Sequence, residues 1–577
     1  MRLPWGGAAV RLARRAAALC LPAVLVATGA LVTTAAPVAQ AAAGGTVVVA
    51  LPPLVNIDWY EPLLPAAYNS LYDSWAADLM YQPLLEINGK GAIDYADSVA
   101  SSIGANAAGT VFTVHLNPKW HWSDGSPVTA KDLLFTWNLI KFASSSAAPT
   151  PWPYADAGFG DIPNGVRSVR VTGTYTFQMT LDAPANQLWF EYNGLSQLIP
   201  LPAQSWDKFP NNMKSELAYL TTNGNNPAFF HVIDGAFAMK SATENQSWIF
   251  VPNPKYSGHR ASIGQLVLAY QTSDQAELNE LRAGEIQVGY LPQTDLPAQK
   301  ELTADRLVVG YGDGFTRIFL DFGNPQVGAI LRQLPVRQAM AMGINQAQII
   351  QDVYHGYAVP GASPVPSSQP SLLAPSLHKP AYPFSLAAGK ATLEHAGWHE
   401  VNGVMQNAKG QKLTFVMQYV SGTATTQTIV QLLQSDWAQE GIKVTLDPMP
   451  FASMVGLHDK ADAAKWQIQA GVSWDWGGDY PSGEGIFQTG APYNFYQFSD
   501  PTLDRLIQAS IRPYATTTQS VAALRSYQVY VSKILPVLWM PYAATLDEVA
   551  RNLGGVNANT LNLFTSTFQP QYWTISQ

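Results

Sequence analysis

Lys119-Trp120-His121-Trp122-Ser123-Asp124-Gly125-Ser126-Pro127-Val128-Thr129-Ala130-Lys131-Asp132 connects two elements that are legible on either side of it. Ahead of it, Phe112, Val114 and Leu116 alternate with Thr113 and His115, the period of a half-buried strand. Asn117-Pro118 ends that strand, and Asp124-Gly125 with Pro127 supplies turn chemistry. Thr129, with Asp132 three residues on, has the form of a capping box in which Asp replaces the usual Glu. Leu133, Leu134, Trp137 and Ile140 then recur at helical spacing. The unit is strand, aromatic turn, helix, and it contains neither metal-ligand spacing nor a nucleophile beside a base.

Working outward, a β-branched run at 46–51 opens a strand, and 58–85 mixes Trp, Tyr and Leu at helical spacing. Residues 335–343 and 346–355 read as two helices, with Asn345 placed to cap the second and Gly356 to end it. The Pro/Ser-rich stretch 357–383 is a long surface or inter-lobe loop. Ser385 can cap a helix carrying Leu386, Leu393 and Ala396. Leu413, Phe415, Met417 and Tyr419 alternate as a strand. A helix with Ile429, Leu432, Leu433 and Trp437 follows, and a strand at 442–446 comes after it. Strand, helix, strand with short connections predicts parallel pairing in an α/β layer.

At 577 residues the chain is too long for one core, and its 47% apolar content describes a globular protein of two or three lobes. Arg2, Arg11, Arg14 and Arg15 precede an apolar run at 16–32, and Ala39-Gln40-Ala41 follows as a cleavage site, so 1–41 reads as a secretory signal peptide. Cleavage after Ala41 removes four Arg and no acid. The 33 basic residues become 29 against 41 acidic, a net of −12, and nucleic acid is a poor partner for that surface. Cys20, the single cysteine, lies inside the apolar run with no lipobox around it. The mature chain is therefore expected to have no disulfide or thiolate metal site and not to be a lipoprotein.

Sharper chemistries find little support. His-Glu-x-x-His is absent, His115/His121 and His395/His399 are poorly placed to share a metal, and no metal or cofactor is expected. Gly471-Val472-Ser473-Trp474-Asp475 lacks the last Gly of a nucleophile elbow. Gly310-Tyr311-Gly312-Asp313-Gly314 precedes no convincing helix, so it reads as a turn rather than a phosphate loop. The segment Val472-Ser473-Trp474-Asp475-Trp476-Gly477-Gly478-Asp479-Tyr480-Pro481 differs from these. Its glycines leave main-chain groups open to close approach, its tryptophans offer flat walls, and Asp479 can meet a cation. Packing between layers accounts for the tryptophans equally well. Tyr493-Asn494-Phe495-Tyr496 adds aromatic surface nearby.

Taken in order, several motifs resemble the family 5 extracellular solute-binding proteins, the substrate-capturing components of peptide-type ABC importers. They are 122–132, Asn253-Pro254-Lys255-Tyr256, Leu281-Arg282-Ala283-Gly284-Glu285-Ile286, Val336-Arg337-Gln338-Ala339 with Gly343-Ile344-Asn345, 391–398 and Gly441-Ile442-Lys443-Val444. Asn345 stands where Asp is usual, and Asp234-Gly235-Ala236-Phe237 replaces a common Gly-Pro-Tyr.

The resemblance implies a two-lobed α/β periplasmic-binding-protein-like fold (type II, cluster C-like) with a hinge and an inserted domain. The first lobe would comprise 42–85, 223–313 and 541–577, the inserted domain 86–222 and the second lobe 314–540. It further implies a non-catalytic, monomeric, exported protein that holds an oligopeptide as an added strand and serves ABC permease subunits, meeting the membrane only through them. Asp479 in Trp476-Gly477-Gly478-Asp479 would pair with the peptide ammonium, with Trp476, Gly477, Trp474, Tyr480, Tyr493 and Phe495 around it. An oligosaccharide, opine, metal chelate or haem in the same fold is the alternative, and a secreted glycosidase a more remote one.

Overall fold

A computed structural model describes residues 44–576 apart from Leu54 and Asp459. The expected signal segment and Cys20 lie outside the described residues. Three sheets organise the chain. The first has seven strands in the order Asp305–Gly310, Thr545–Ala550, Val288–Tyr290, Thr46–Pro53, Gln265–Gln271, Ser247–Pro252, Phe237–Thr243. Thr46–Pro53 is parallel to both neighbours, and the strands outside them pair antiparallel.

The second sheet runs Lys443–Met449, Thr414–Val420, Ile468–Asp475, Gly314–Leu320, Val537–Met540. Thr414–Val420 is parallel to both of its neighbours, as the strand, helix, strand succession predicts. The helix Ala424–Gln439 covers this sheet through Ile429, Val430, Leu433 and Trp437. The chain passes between the two sheets twice, at 311–313 and again at 541–544. At Gly314 a Cβ would lie 2.2 Å from the Trp474 carbonyl oxygen and 2.8 Å from the Tyr542 hydroxyl, so the second crossing packs directly on the first.

The third sheet, Ala100–Ala105, Val111–Leu116, Thr176–Leu181, Val166–Gly173, is wholly antiparallel and belongs to the inserted domain. The helix Ala130–Ala143 lies across it, started by the predicted box. The Thr129 amide donates to Asp132 Oδ2 at 2.7 Å, and Thr129 Oγ1 accepts from the Lys131 amide at 3.3 Å. The aromatic turn is core: Trp120 and Trp122 are both 0% exposed, and Trp120 Nε1 donates to the Ser98 carbonyl at 2.8 Å. Ser123 ties the turn to the segment entering the large sheet. Its amide donates to the Ile233 carbonyl at 2.7 Å and its hydroxyl accepts from the Ile233 amide at 3.1 Å.

Two helical expectations change. Within 58–85 only Leu71–Met80 forms an α-helix, because Pro62 and Pro65 break the stretch ahead of it, where Trp59, Leu63 and Leu64 are buried on irregular chain. Asn345 caps its helix, accepting from the Gln348 amide at 3.1 Å, but the chain widens to a π-turn over Ile349–Val353.

Candidate functional site

The strand Ile468–Asp475 lies antiparallel beside Gly314–Leu320, with Trp474 opposite Phe315. It ends at Asp475, and residues 476–480 turn toward the first lobe and the inserted domain. Four contacts hold this turn. The Trp476 amide donates to the Asp313 carbonyl in the first crossing at 2.6 Å, and the Trp476 indole donates to the Pro364 carbonyl at 2.8 Å. The Gly477 amide donates to Asp475 Oδ1 at 2.9 Å. Tyr480 is fixed through its main chain by the side-chain amide of Asn193. Gly478 has φ +97°, and a Cβ there would stand 3.1 Å from Ile87 Cγ2 and 3.3 Å from Thr565 Cγ2, so the turn presses close to the chain it faces.

Two recesses flank the turn. One, of about 140 Å³, has Gly477 on one side and Asp78, Gln82, Glu86, Thr565, Thr567 and Gln569 among the residues opposite. The other, of about 330 Å³, is lined by Gly478, Asp479 and Tyr480 with Tyr192, Gln369 and Phe564.

Asp479 is half-buried and has no ion pair; the pairs formed among the described residues are Arg167–Asp182, Arg282–Glu301, Lys390–Glu400 and Lys465–Asp462, all elsewhere. Desolvation pushes its carboxyl well above the usual carboxylate range, and Asp156, Glu484, Asp313 and Asp475 push it further as like charges. Asp475 and Glu484 flank Asp479 in the sequence, whereas Asp156 and Asp313 come from elsewhere in the chain. Asp156 precedes Phe159 in the inserted domain. Asp313 sits in the first crossing, 0% exposed, with Oδ1 accepting from Gln369 Nε2 and the Gly478 main chain as a second hydrogen-bond partner of the carboxylate. Asp475 ends the strand, and Glu484 accepts from Trp189 Nε1 at 2.6 Å and from Asn193 Nδ2 at 3.2 Å. The nearby guanidinium of Arg317 is shut away among the rings of Phe315, Phe319 and Trp474, and desolvation lowers it to about 10.

Of the residues singled out from sequence, Asp479, Gly477 and Trp474 converge here. Trp474 is half-buried, stacked on Phe159 at 6.3 Å, with Tyr493 edge-on at 5.0 Å. Tyr493 is also half-buried; burial and the charge of Asp156 raise its hydroxyl to about 12. Trp476 and Tyr480 belong to the turn, but their rings are nearly fully buried and offer a ligand little surface. Phe495 stands apart. It stacks on His458 at 3.8 Å and packs on Phe319 and Trp466, inside the second lobe. Asp156, Phe159, Asp313 and Glu484 were missed. Glycine density around 310–314 marks the close packing at Asp313, whereas nothing local to Asp156 or Glu484 signals their position. Among the described residues no group of three or more His, Cys, Asp or Glu is arranged to hold a metal ion, and no helix is long and apolar enough to cross a membrane.

The model of the bacterial extracellular solute-binding proteins, family 5, matches residues 95–497. A Brucella ovis protein named as an ABC transporter peptide-binding protein is 25% identical over 340 residues, which span 58% of this chain and 57% of that protein. Oligopeptide-binding protein OppA of Lactococcus lactis is 24% identical over 476 residues, 77% of this chain and 76% of OppA. Among solved structures, the oligopeptide-binding protein AppA of Bacillus subtilis, in complex with a nonapeptide, superposes with a TM-score of 0.74 at 17% identity, covering 93% of this chain and all of AppA. NikA of Brucella suis, in complex with Fe(III)-EDTA, gives 0.74 at 16% identity, over 92% and 100%. Matched over most of its length, the chain belongs to the bacterial extracellular solute-binding proteins, family 5.

Proposed function

We propose that the protein captures oligopeptides in the cleft between its lobes, outside the membrane, and passes them to an ABC importer without altering them. One observation carries this reading: Asp479, a carboxylate with no cation of its own, stands two residues from the exposed main chain of Gly477. A peptide ammonium meets the carboxylate, and the peptide main chain pairs with the turn and with Asp475. Trp474 and Tyr493, half-buried and packed on Phe159, supply aromatic surface. The relatives named as peptide-binding proteins support the same ligand class. Export by cleavage after Ala41, service to permease subunits and a monomeric state belong to this proposal.

The rival ligands include metal chelates such as the one held by the fold relative NikA. The surroundings of Asp479 favour a cation, which sets an anionic chelate at a disadvantage. Mass spectrometry of small molecules released from the protein purified without refolding tests the choice. A mixture of peptides with free amino termini is expected; a single glycan or chelate would overturn the proposal.

A further inference from the structure

The helix Gln187–Asn193 of the inserted domain turns one side toward the second lobe. Asn186, which caps it, Trp189 and Asn193 stand at i, i+3 and i+7, so their side chains leave the helix in one direction. Each reaches across. The Asn186 main-chain amide donates to the Ile511 carbonyl at 2.7 Å, and its Nδ2 donates to the Ser510 carbonyl at 3.1 Å and to Ser520 Oγ. Trp189 Nε1 donates to Glu484 Oε1 at 2.6 Å, and Asn193 Nδ2 adds a bond to the same oxygen at 3.2 Å. Asn193 also brackets the Tyr480 main chain, while the Tyr480 hydroxyl points at Asn186 and Ser520. One helix face thus holds both ends of the residue that follows Asp479.

The chemistry of this contact is that of a surface able to part and re-form. Its bonds join side-chain amides, an indole, hydroxyls, main-chain groups and one carboxylate, Glu484, which also accepts from Ser482 Oγ in its own lobe. Water can satisfy each of these groups when the two sides separate, as it cannot for a shared apolar core. The contact is also narrow. A recess of about 450 Å³, with Asn106, Gln187 and Thr516 in its lining, opens on one side of it, and the recess of about 330 Å³ beside Asp479 opens on the other; Leu188 and Thr517 border both. The aromatic contact next to it, Phe159 on Trp474 and Tyr493, leaves both of those rings only half-buried.

A bonded face whose partners belong to another lobe, and whose separation bares groups that water can satisfy, makes a two-position device. We propose that this helix is a latch: Asn186, Trp189 and Asn193 are positioning residues that hold the second lobe against the inserted domain and set the fraction of the protein whose lobes are together before any ligand enters. The latch does not depend on what the cleft binds. Because Asn186 and Asn193 grip Tyr480, engaging it also fixes the turn that carries Asp479, so the site is complete only when the latch is made.

Single-molecule energy transfer on the protein freed of ligand by exhaustive dialysis measures that fraction. Dyes are carried by Thr172→Cys, exposed on the inserted domain, and Glu394→Cys, exposed on the second lobe, with Cys20→Ser removing the native thiol. A narrow population, alone or in exchange with a wide one, is expected before any change is made to the latch. Trp189→Phe should move the narrow-to-wide ratio toward the wide form by on the order of fivefold, the share of one hydrogen bond, and Asn186→Ala, which removes more bonds, by more. From the other side, Glu484→Ala should act as Trp189→Phe does, while Glu484→Gln, which keeps an acceptor for Trp189 and Asn193, should restore the ratio. That pair decides the matter even where a change in the helix prevents folding. Gln187→Ala is the control, since its side-chain amide bonds Glu191 one turn on at 2.7 Å. A protein with an intact latch found wholly in the wide form, or a Glu484→Ala protein with an unchanged ratio, would overturn the proposal.

Discussion

Asn193 and Tyr480 exchange two hydrogen bonds across the boundary between the inserted domain and the second lobe: the Tyr480 amide donates to Asn193 Oδ1 at 2.7 Å, and Asn193 Nδ2 donates to the Tyr480 carbonyl at 3.0 Å. A side-chain amide thus takes the place of a neighbouring strand at the end of the turn that carries Asp479. Both partners are buried, so removing the Asn193 side chain strands the Tyr480 amide, while the Tyr480 carbonyl keeps the Ser482 amide as a donor at 2.8 Å. Asn193→Ala is expected to cost about 1–3 kcal/mol. A urea midpoint shifted down, with faster amide exchange at 476–480 than elsewhere in the second lobe, is the result that fits.

On the proposed reading, Asp479 is expected to set the pH dependence of peptide binding. In the empty cleft its carboxyl is raised well above the usual range, chiefly by desolvation, so it holds its proton in mild acid. An ammonium pairs with the ionised form only. Affinity should therefore climb as pH rises through that raised value, with protons released on binding, and decline again above about 8 as the peptide amine deprotonates. Asp479→Ala should weaken binding by about 2–5 kcal/mol. Calorimetry in buffers of different ionisation enthalpy measures both; an affinity flat with pH, or unchanged in the variant, would remove Asp479 from the site.

Glu61 makes the empty protein less stable as pH rises. It is 1% exposed, both oxygens lack partners, and burial, reinforced by Glu216, lifts it from 4.5 to about 8. The native state keeps this proton where the unfolded chain has lost it, so the contribution is complete below 4.5 and disappears as pH climbs through about 8. Glu61→Gln should flatten the fall in melting temperature between pH 5 and pH 9. A slope identical to that of the unaltered protein would contradict the assignment.

Trp122 should matter for stability and not for ligand. It is fully buried within the inserted domain, edge-on to Tyr81 at 6.4 Å. Trp122→Ala is expected to cost about 3–5 kcal/mol, the usual loss for a large aromatic in a packed core. Guanidinium unfolding gives the cost. Calorimetry on the fraction that remains folded should return the unaltered affinity, and a lost affinity there would put the motif in the site.

Local patterns were legible where the physics is local. The Thr129 box, the Ser385 cap and the alternation at 413–419 each concern residues within one turn or one strand, and each appears as read. The site was legible only along its own turn. Aromatic composition marks Trp476, Tyr480 and Phe495 as apolar but carries no information on which of them face an open space, and all three are buried. Asp156 and Asp313 reach Asp479 from separate parts of the chain through sheet order and the crossing between lobes, for which no periodicity exists. The π-turn at Ile349–Val353 is likewise a product of packing, since the residues themselves repeat as an ordinary helix would.

Gly478 distinguishes closure of the cleft from the strain of the turn. Both Gly477 and Gly478 hold positive φ, at +62° and +97°, so alanine at either strains the backbone whether or not ligand is bound. Their surroundings differ. A Cβ on Gly477 meets nothing within 4 Å, whereas one on Gly478 meets Ile87 and Thr565 at 3.1 Å and 3.3 Å, contacts tighter than packed carbon atoms prefer. Ile87 is held beside the C-terminal tail by Asn562 Nδ2, which donates to its carbonyl at 2.8 Å, so it has little room to give way. Gly478→Ala should therefore oppose the approach of the turn to this chain in addition to straining it, and lower peptide affinity by more than Gly477→Ala does. Small-angle scattering with saturating peptide should show the Gly478 variant less compact than the Gly477 variant. Equal affinity and equal compaction in the two would mean that the contact at Gly478 plays no part in closing the lobes.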